Sequence, residues 1–146
     1  MSASAVIDAA VAVHAAVDGP RLEPCLTLLR RLALDDVRLT APALWSFEVA
    51  SAFSKLVYFG ELSGEEADAA LEGCQALGVE LSNPDLEDQR AALAWSRRLG
   101  RASAYDSFYL ALAERLGCDL WTTDLKLVRA VDLPWVRAVP ESGEAG

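Results

Sequence analysis

Histidine and paired cysteines are nearly missing from this chain. His14 stands alone, and Cys25, Cys74 and Cys118 are odd in number and form no Cys-x-x-Cys pair. That argues against a disulfide framework and against a zinc site built from nitrogen and sulfur. Unpaired thiols of this kind fit a reducing compartment, so a cytoplasmic protein is expected. Long apolar runs are missing too. None approaches the roughly 20 residues that cross a bilayer. The apolar stretch Ala3–Val13 is interrupted by Asp8 and has no basic segment before it, which argues against a signal peptide. Positive charge is scarce: 13 Lys and Arg face 22 Asp and Glu, for a net charge of −9 and a pI near 4.5. A surface that grips phosphates by bulk basicity is therefore not expected. An acidic site whose cations are metal ions remains open.

Of the 146 residues, 53% are hydrophobic, enough for one domain with a real core. No repeat, linker or low-complexity segment divides the chain. Residues 1–140 are expected to form a single domain and 141–146 a frayed tail. Short apolar runs alternate with helical periodicity. Strands are predicted at Ala5–Ile7, Val37–Thr40, Val79–Ser82, Asp119–Thr123 and, less regularly, Trp135–Val139. Helices are predicted after the first strand, where His14 falls, at Pro24–Leu34, and from Pro42 to about Phe59. A Ser63–Glu66 capping box opens the next helix, to about Leu77. Asn83-Pro84 is read as the cap of a helix to Leu99, and Ser103 as the start of one to Leu116. Leu125–Ala130 is a short last helix. This alternation predicts an α/β fold, a three-layer sandwich around a central, mainly parallel sheet of four to five strands.

Four carboxylates sit oddly in this pattern. Asp8, Glu48 and Asp106 are each the lone charge in an apolar element, and Asp124 closes the strand Asp119–Thr123. Burying an unpaired carboxylate costs several kcal/mol, a large part of a domain's net stability of about 5–15 kcal/mol. In a right-handed α/β fold, helix N-termini lie at the carboxyl edge of the sheet. Asp8 and Asp124 end strands there, and Asp106 lies in the first turn of the helix feeding the second of those strands. Glu48 lies about six residues, roughly 9 Å, down its helix, within a glutamate's reach of the same edge. Asp124 as a helix cap, Asp106 as the end of a Ser103-x-x-Asp106 capping box, and Glu48 on an exposed stripe are the competing readings. Converging acids would raise one another's pKa unless divalent cations joined them. Oxygen-only donors favour Mg²⁺ or Mn²⁺.

At these residues the chain resembles the PIN domain family, and within it the single-domain ribonuclease toxins of VapC type. The matching stretches are Val6-Ile-Asp8-Ala, Ala41-Pro-Ala-Leu-Trp-Ser-Phe-Glu48-Val-Ala50, Ala104-Tyr-Asp106-Ser-Phe-Tyr-Leu-Ala-Leu-Ala113 and Trp121-Thr-Thr-Asp124-Leu-Lys-Leu127. The resemblance covers roughly residues 5–138. It implies that Asp8, Glu48, Asp106 and Asp124 are the catalytic, metal-binding acids of an Mg²⁺- or Mn²⁺-dependent endoribonuclease that uses metal-activated water. It also implies a homodimer neutralised by a cognate antitoxin protein, with RNA as substrate and no membrane. One departure is Ala10, where the family often carries Ser, Thr or Asn. Thr122 or Thr123 is a candidate to supply a supporting hydroxyl, and Arg97, Arg98 and Arg101 to steer the RNA backbone.

Three other readings share parts of this pattern. A dehalogenase-type phosphoryl-transfer enzyme needs a second Asp where Ala10 stands. A receiver-like domain needs a lysine after a late strand, and Lys126 is poorly placed for it. A non-catalytic PIN-like scaffold would keep the fold without needing all four acids. Exposed apolar residues such as Phe53, Tyr58 and Phe59 would suit a dimer or antitoxin surface.

Overall fold

The computed structural model of the chain describes residues 3–140; the expected tail at 141–146 lies outside them. Five strands alternate with seven helices among the described residues. They run β1 (Ser4–Ile7), α1 (Ala9–His14), α2 (Leu22–Leu34), β2 (Arg38–Pro42), α3 (Leu44–Tyr58), α4 (Gly64–Gln75), β3 (Glu80–Ser82), α5 (Leu86–Leu99), α6 (Tyr105–Leu116), β4 (Asp119–Thr122), α7 (Leu125–Val131) and β5 (Val136–Ala138). The strands form one sheet in the order β3-β2-β1-β4-β5. Every pairing is parallel, so the sheet is wholly rather than mainly parallel.

The pleat of β1 shows why both faces are covered. Successive side chains point to opposite faces. Ala5 and Ile7 face a core with Cys25, Leu28, Leu29 and Leu32 of α2 and with Trp121. Val6 faces the other way, into a larger core with Trp45, Val49 and Phe53 of α3, Leu110 and Ala113 of α6, and Leu120. Helices on both sides of a two-faced sheet make the expected three layers.

Several element ends differ from the expectation. Pro42 finishes β2 rather than opening α3, because Pro42 pairs with Ser82 in the sheet. α5 is capped by Asp85, not by Asn83-Pro84. The Asp85 carboxylate accepts from the Asp88 amide at 2.9 Å, and Asp88 returns the bond to the Asp85 amide at 3.0 Å, a capping box. Ser103 forms no capping box with Asp106: α6 begins at Tyr105, and its N-cap Ala104 has no polar side chain to offer. The Ser63–Glu66 box stands as expected. Phe53 is buried at 3% exposure, whereas Tyr58 and Phe59 at the end of α3 are 82% and 72% exposed.

Candidate active site

β1 is the central strand and lies between β2 and β4, where the chain, having built one side of the sheet, crosses to build the other. Such a switch point leaves a crevice beyond the carboxyl ends of the strands. Ile7 pairs with Trp121, and the Asp8 amide continues the ladder with a 3.0 Å bond to the Trp121 carbonyl. Asp8 thus emerges at the mouth of the crevice, and Asp124, two residues past β4, emerges beside it. Asp106 is the second residue of α6. Because α3 starts at Leu44, Glu48 is only its fifth residue, about 6 Å down the axis, shallower than the sequence suggested.

The four carboxylates are linked electrostatically through Asp8 and Asp106. Asp106 and Asp124 act on Asp8, Asp8 and Asp106 on Glu48, and Asp124 on Asp106. Asp8, Glu48 and Asp106 are each pushed above the ordinary carboxylate range. Burial is the largest cause in all three, and repulsion between the acids adds to it.

Each acid is held by a different partner. The Thr122 hydroxyl, fully buried at the end of β4, donates to Asp8 Oδ2 at 2.7 Å and accepts from the Asp124 amide at 3.0 Å. One threonine therefore links the two strand-end acids, and it is Thr122 rather than Thr123. The Ala10 amide makes a long, 3.5 Å approach to Asp8 Oδ1, so Asp8 also caps α1. Position 10 accordingly contributes backbone where a family hydroxyl or amide would stand. Asp124 Oδ1 accepts from the Leu127 amide at 3.1 Å and caps α7, so its capping role and its place in the cluster coexist. Arg101 pairs with Asp106 Oδ2 at 3.2 Å and lowers its pKa against the burial effect. Of the other two arginines, Arg98 lies over the Trp95 ring at 4.7 Å and Arg97 is exposed on α5.

The sequence reading missed Tyr109. Its hydroxyl donates to Glu48 Oε1 at 2.7 Å. The side chain is 3% exposed. The available signal was its spacing: three residues after Asp106 on a helix, Tyr109 lies on the same face.

Among the described residues, no three His, Cys, Asp or Glu side chains already stand as a ready-made metal cage. The donor chemistry nonetheless suits a hard cation. Mg²⁺ keeps several of its waters and is commonly held through one or two carboxylates, which an open cluster of acids allows.

A parallel sheet in this order, with acids just past the ends of β1 and β4 and on α3 and α6 at one edge, defines an α/β protein with an acidic crevice at its switch point. The PIN domain profile matches residues 5–133, and the chain belongs to the PIN domain family. It is 37% identical over 106 residues to Ribonuclease VapC3 from two Mycobacterium tuberculosis strains, CDC 1551 / Oshkosh and ATCC 25618 / H37Rv, spanning 73% of this chain and 73% of each relative. Among solved structures it resembles PAE2754 from Pyrobaculum aerophilum, with a TM-score of 0.68 at 22% identity over 95% of this chain and 91% of that one. It also resembles FitAB bound to an IR36 DNA fragment, with a TM-score of 0.64 at 19% identity over 93% and 94% of the two chains. FitAcB from Neisseria gonorrhoeae gives 0.63 at 21% identity over 88% and 94%. These structural likenesses concern the fold alone.

Proposed function

We propose that the protein is an Mg²⁺- or Mn²⁺-dependent endoribonuclease, the toxin of a toxin–antitoxin pair acting in the cytoplasm. Asp8, Glu48, Asp106 and Asp124 are its catalytic and metal-holding residues. The observation that carries this reading is the meeting of four acids from distant parts of the chain in one crevice, in a chain 37% identical to a ribonuclease. A divalent ion held by Asp8, Glu48, Asp106 and Asp124 would lower the pKa of an attacking water and set positive charge against the phosphoryl oxygens. The protein's own groups do the positioning. Thr122 holds Asp8 and the backbone of Asp124 in register across β1 and β4. Arg101, beside Asp106, would meet an incoming phosphate oxygen, and exposed Arg97 would steer the strand toward it. Arg98, stacked on Trp95, is a weaker candidate for that task.

Asp8→Asn and Asp106→Asn should each abolish Mg²⁺-dependent cleavage of RNA while leaving the fold intact by circular dichroism. The loss should exceed the roughly 10–100-fold typical of removing only a supporting partner of a ligand. Cleavage retained in both variants would overturn the assignment, and metal binding without cleavage would favour a non-catalytic scaffold. A receiver-like module is disfavoured by the topology: such domains use the order 2-1-3-4-5, whereas this sheet runs 3-2-1-4-5.

The antitoxin is supported by an apolar groove between α1, α2 and α4. Ala12, Ala16, Leu29, Ala70 and Leu77 line it, with Arg30 and Glu66 also contributing. A groove of this kind suits an amphipathic segment of another chain. Copurification of the protein with the product of a neighbouring short gene, and loss of RNA cleavage in that complex, is the test.

A further inference from the structure

We propose that Tyr109 is the positioning residue of the acidic site, a single buried hydroxyl that ties Glu48 to the helix carrying Asp106. The inference rests on the functional reading above. Tyr109 stands on α6, three residues beyond Asp106 and on the same helical face. Its hydroxyl donates to Glu48 Oε1 on α3 at 2.7 Å. Ala9, the residue that follows Asp8 and opens α1, lies close enough to act on the same hydroxyl.

The hydroxyl therefore bonds Glu48 on α3 and is rooted in the helix that carries Asp106. Burial at 3% exposure keeps water from taking its place. The bond also has a direction. A phenol carries its proton at neutral pH and an ionised carboxylate has none to give, so the 2.7 Å bond runs from Tyr109 to Glu48. A donor fixed in this way steadies Glu48 as an anion with one oxygen held and the other left to a cation. Thr122 does the corresponding work for Asp8 and Asp124. Together the two hydroxyls hold every acid of the cluster except Asp106, which pairs with Arg101.

The test is Tyr109→Phe, which keeps the ring in the core and removes only the hydroxyl. Titration with Mn²⁺ alone, followed by calorimetry, should show affinity lowered about 10–100-fold. The Mg²⁺ concentration for half-maximal RNA cleavage should rise to match, while KM for RNA at saturating Mg²⁺ stays close to wild type. In a Glu48→Gln background the same substitution should add little, because its effect runs through Glu48. Leu28→Ala, in the opposite core, serves as a destabilised control and should leave Mn²⁺ affinity near wild type. Wild-type Mn²⁺ affinity in Tyr109→Phe, or an equal loss of affinity in Leu28→Ala, would overturn the positioning role while the metal site stood. Failure of the wild-type protein to bind Mn²⁺ would instead remove the site reading on which this role depends.

Discussion

Glu48 illustrates how a residue can be costly to the fold and useful to the site at once. Its carboxylate lies one turn inside an apolar helix, and burial more than its neighbours' charges holds its pKa up. Asp8 and Asp106 share this condition. Each of the three retains its proton more tightly in the folded state than in the unfolded chain, where Asp titrates near 3.8 and Glu near 4.5. Between those values and the raised ones the folded state binds more protons, so stability falls as pH rises through that window. Above it the full cost remains. Metal-free protein should therefore melt at a higher temperature at mildly acidic pH, just above the ordinary carboxylate values, than at neutral pH. Asp8→Asn should raise the melting temperature at neutral pH in chelator, and that gain should shrink when Mg²⁺ is added to both proteins. A lower melting temperature for Asp8→Asn in chelator would contradict the strained-anion account.

At the scale of elements, the corner between α5 and α6 decides where Asp106 stands. Ser96 on α5 and Ser107 on α6 share a 2.8 Å hydroxyl bond, and both are buried. Ser96 also donates to the Ser103 carbonyl at 3.4 Å, a long contact. Further along the pair, Arg115 Nε reaches Asp88 Oδ1 at 2.9 Å. The Asp88 pKa ends below its ordinary value: burial works against this, but the Asp85 amide and Arg115 outweigh it. Ser107→Ala should cost about 1–3 kcal/mol by urea denaturation, because Ser96 keeps only its long bond in a dry setting. A change within a few tenths of a kcal/mol would mean that the serine pair does not hold the corner.

The molecule exposes large aromatic side chains along α3. Tyr58 and Phe59 stack edge to face, with ring centroids 5.0 Å apart, at the exposed end of α3, and Phe47 is 75% exposed on the same helix. Aromatic side chains of this size are enriched at protein interfaces. A homodimer through this face is the expected use. Tyr58→Ser with Phe59→Ser should shift the molecular mass by light scattering from two chains toward one, with the circular dichroism spectrum unchanged. A monomeric wild type would remove the dimer expectation. No helix among the described residues is long and apolar enough to cross a membrane.

Much of this architecture was legible in the order of the residues. Alternating apolar strands and helical periods determined an α/β fold, because periods of 2 and 3.6 bury different faces. Lone carboxylates in apolar elements marked Asp8, Glu48 and Asp106, because an uncompensated buried charge is too costly to occur without a reason. Local signals were weaker at the boundaries. Pro42 and Ser103 looked like helix starts, but sheet pairing of Pro42 with Ser82 and the opening of α6 at Tyr105 overrode them. Tertiary structure alone decided the rest: that Thr122 rather than Thr123 faces Asp8, that Phe53 packs inward while Tyr58 and Phe59 do not, and that Tyr109 meets Glu48. Those contacts join residues 114 and 61 positions apart in the chain. Local sequence sets only which face a side chain takes; which partner waits there is set by how the sheet and its helices pack.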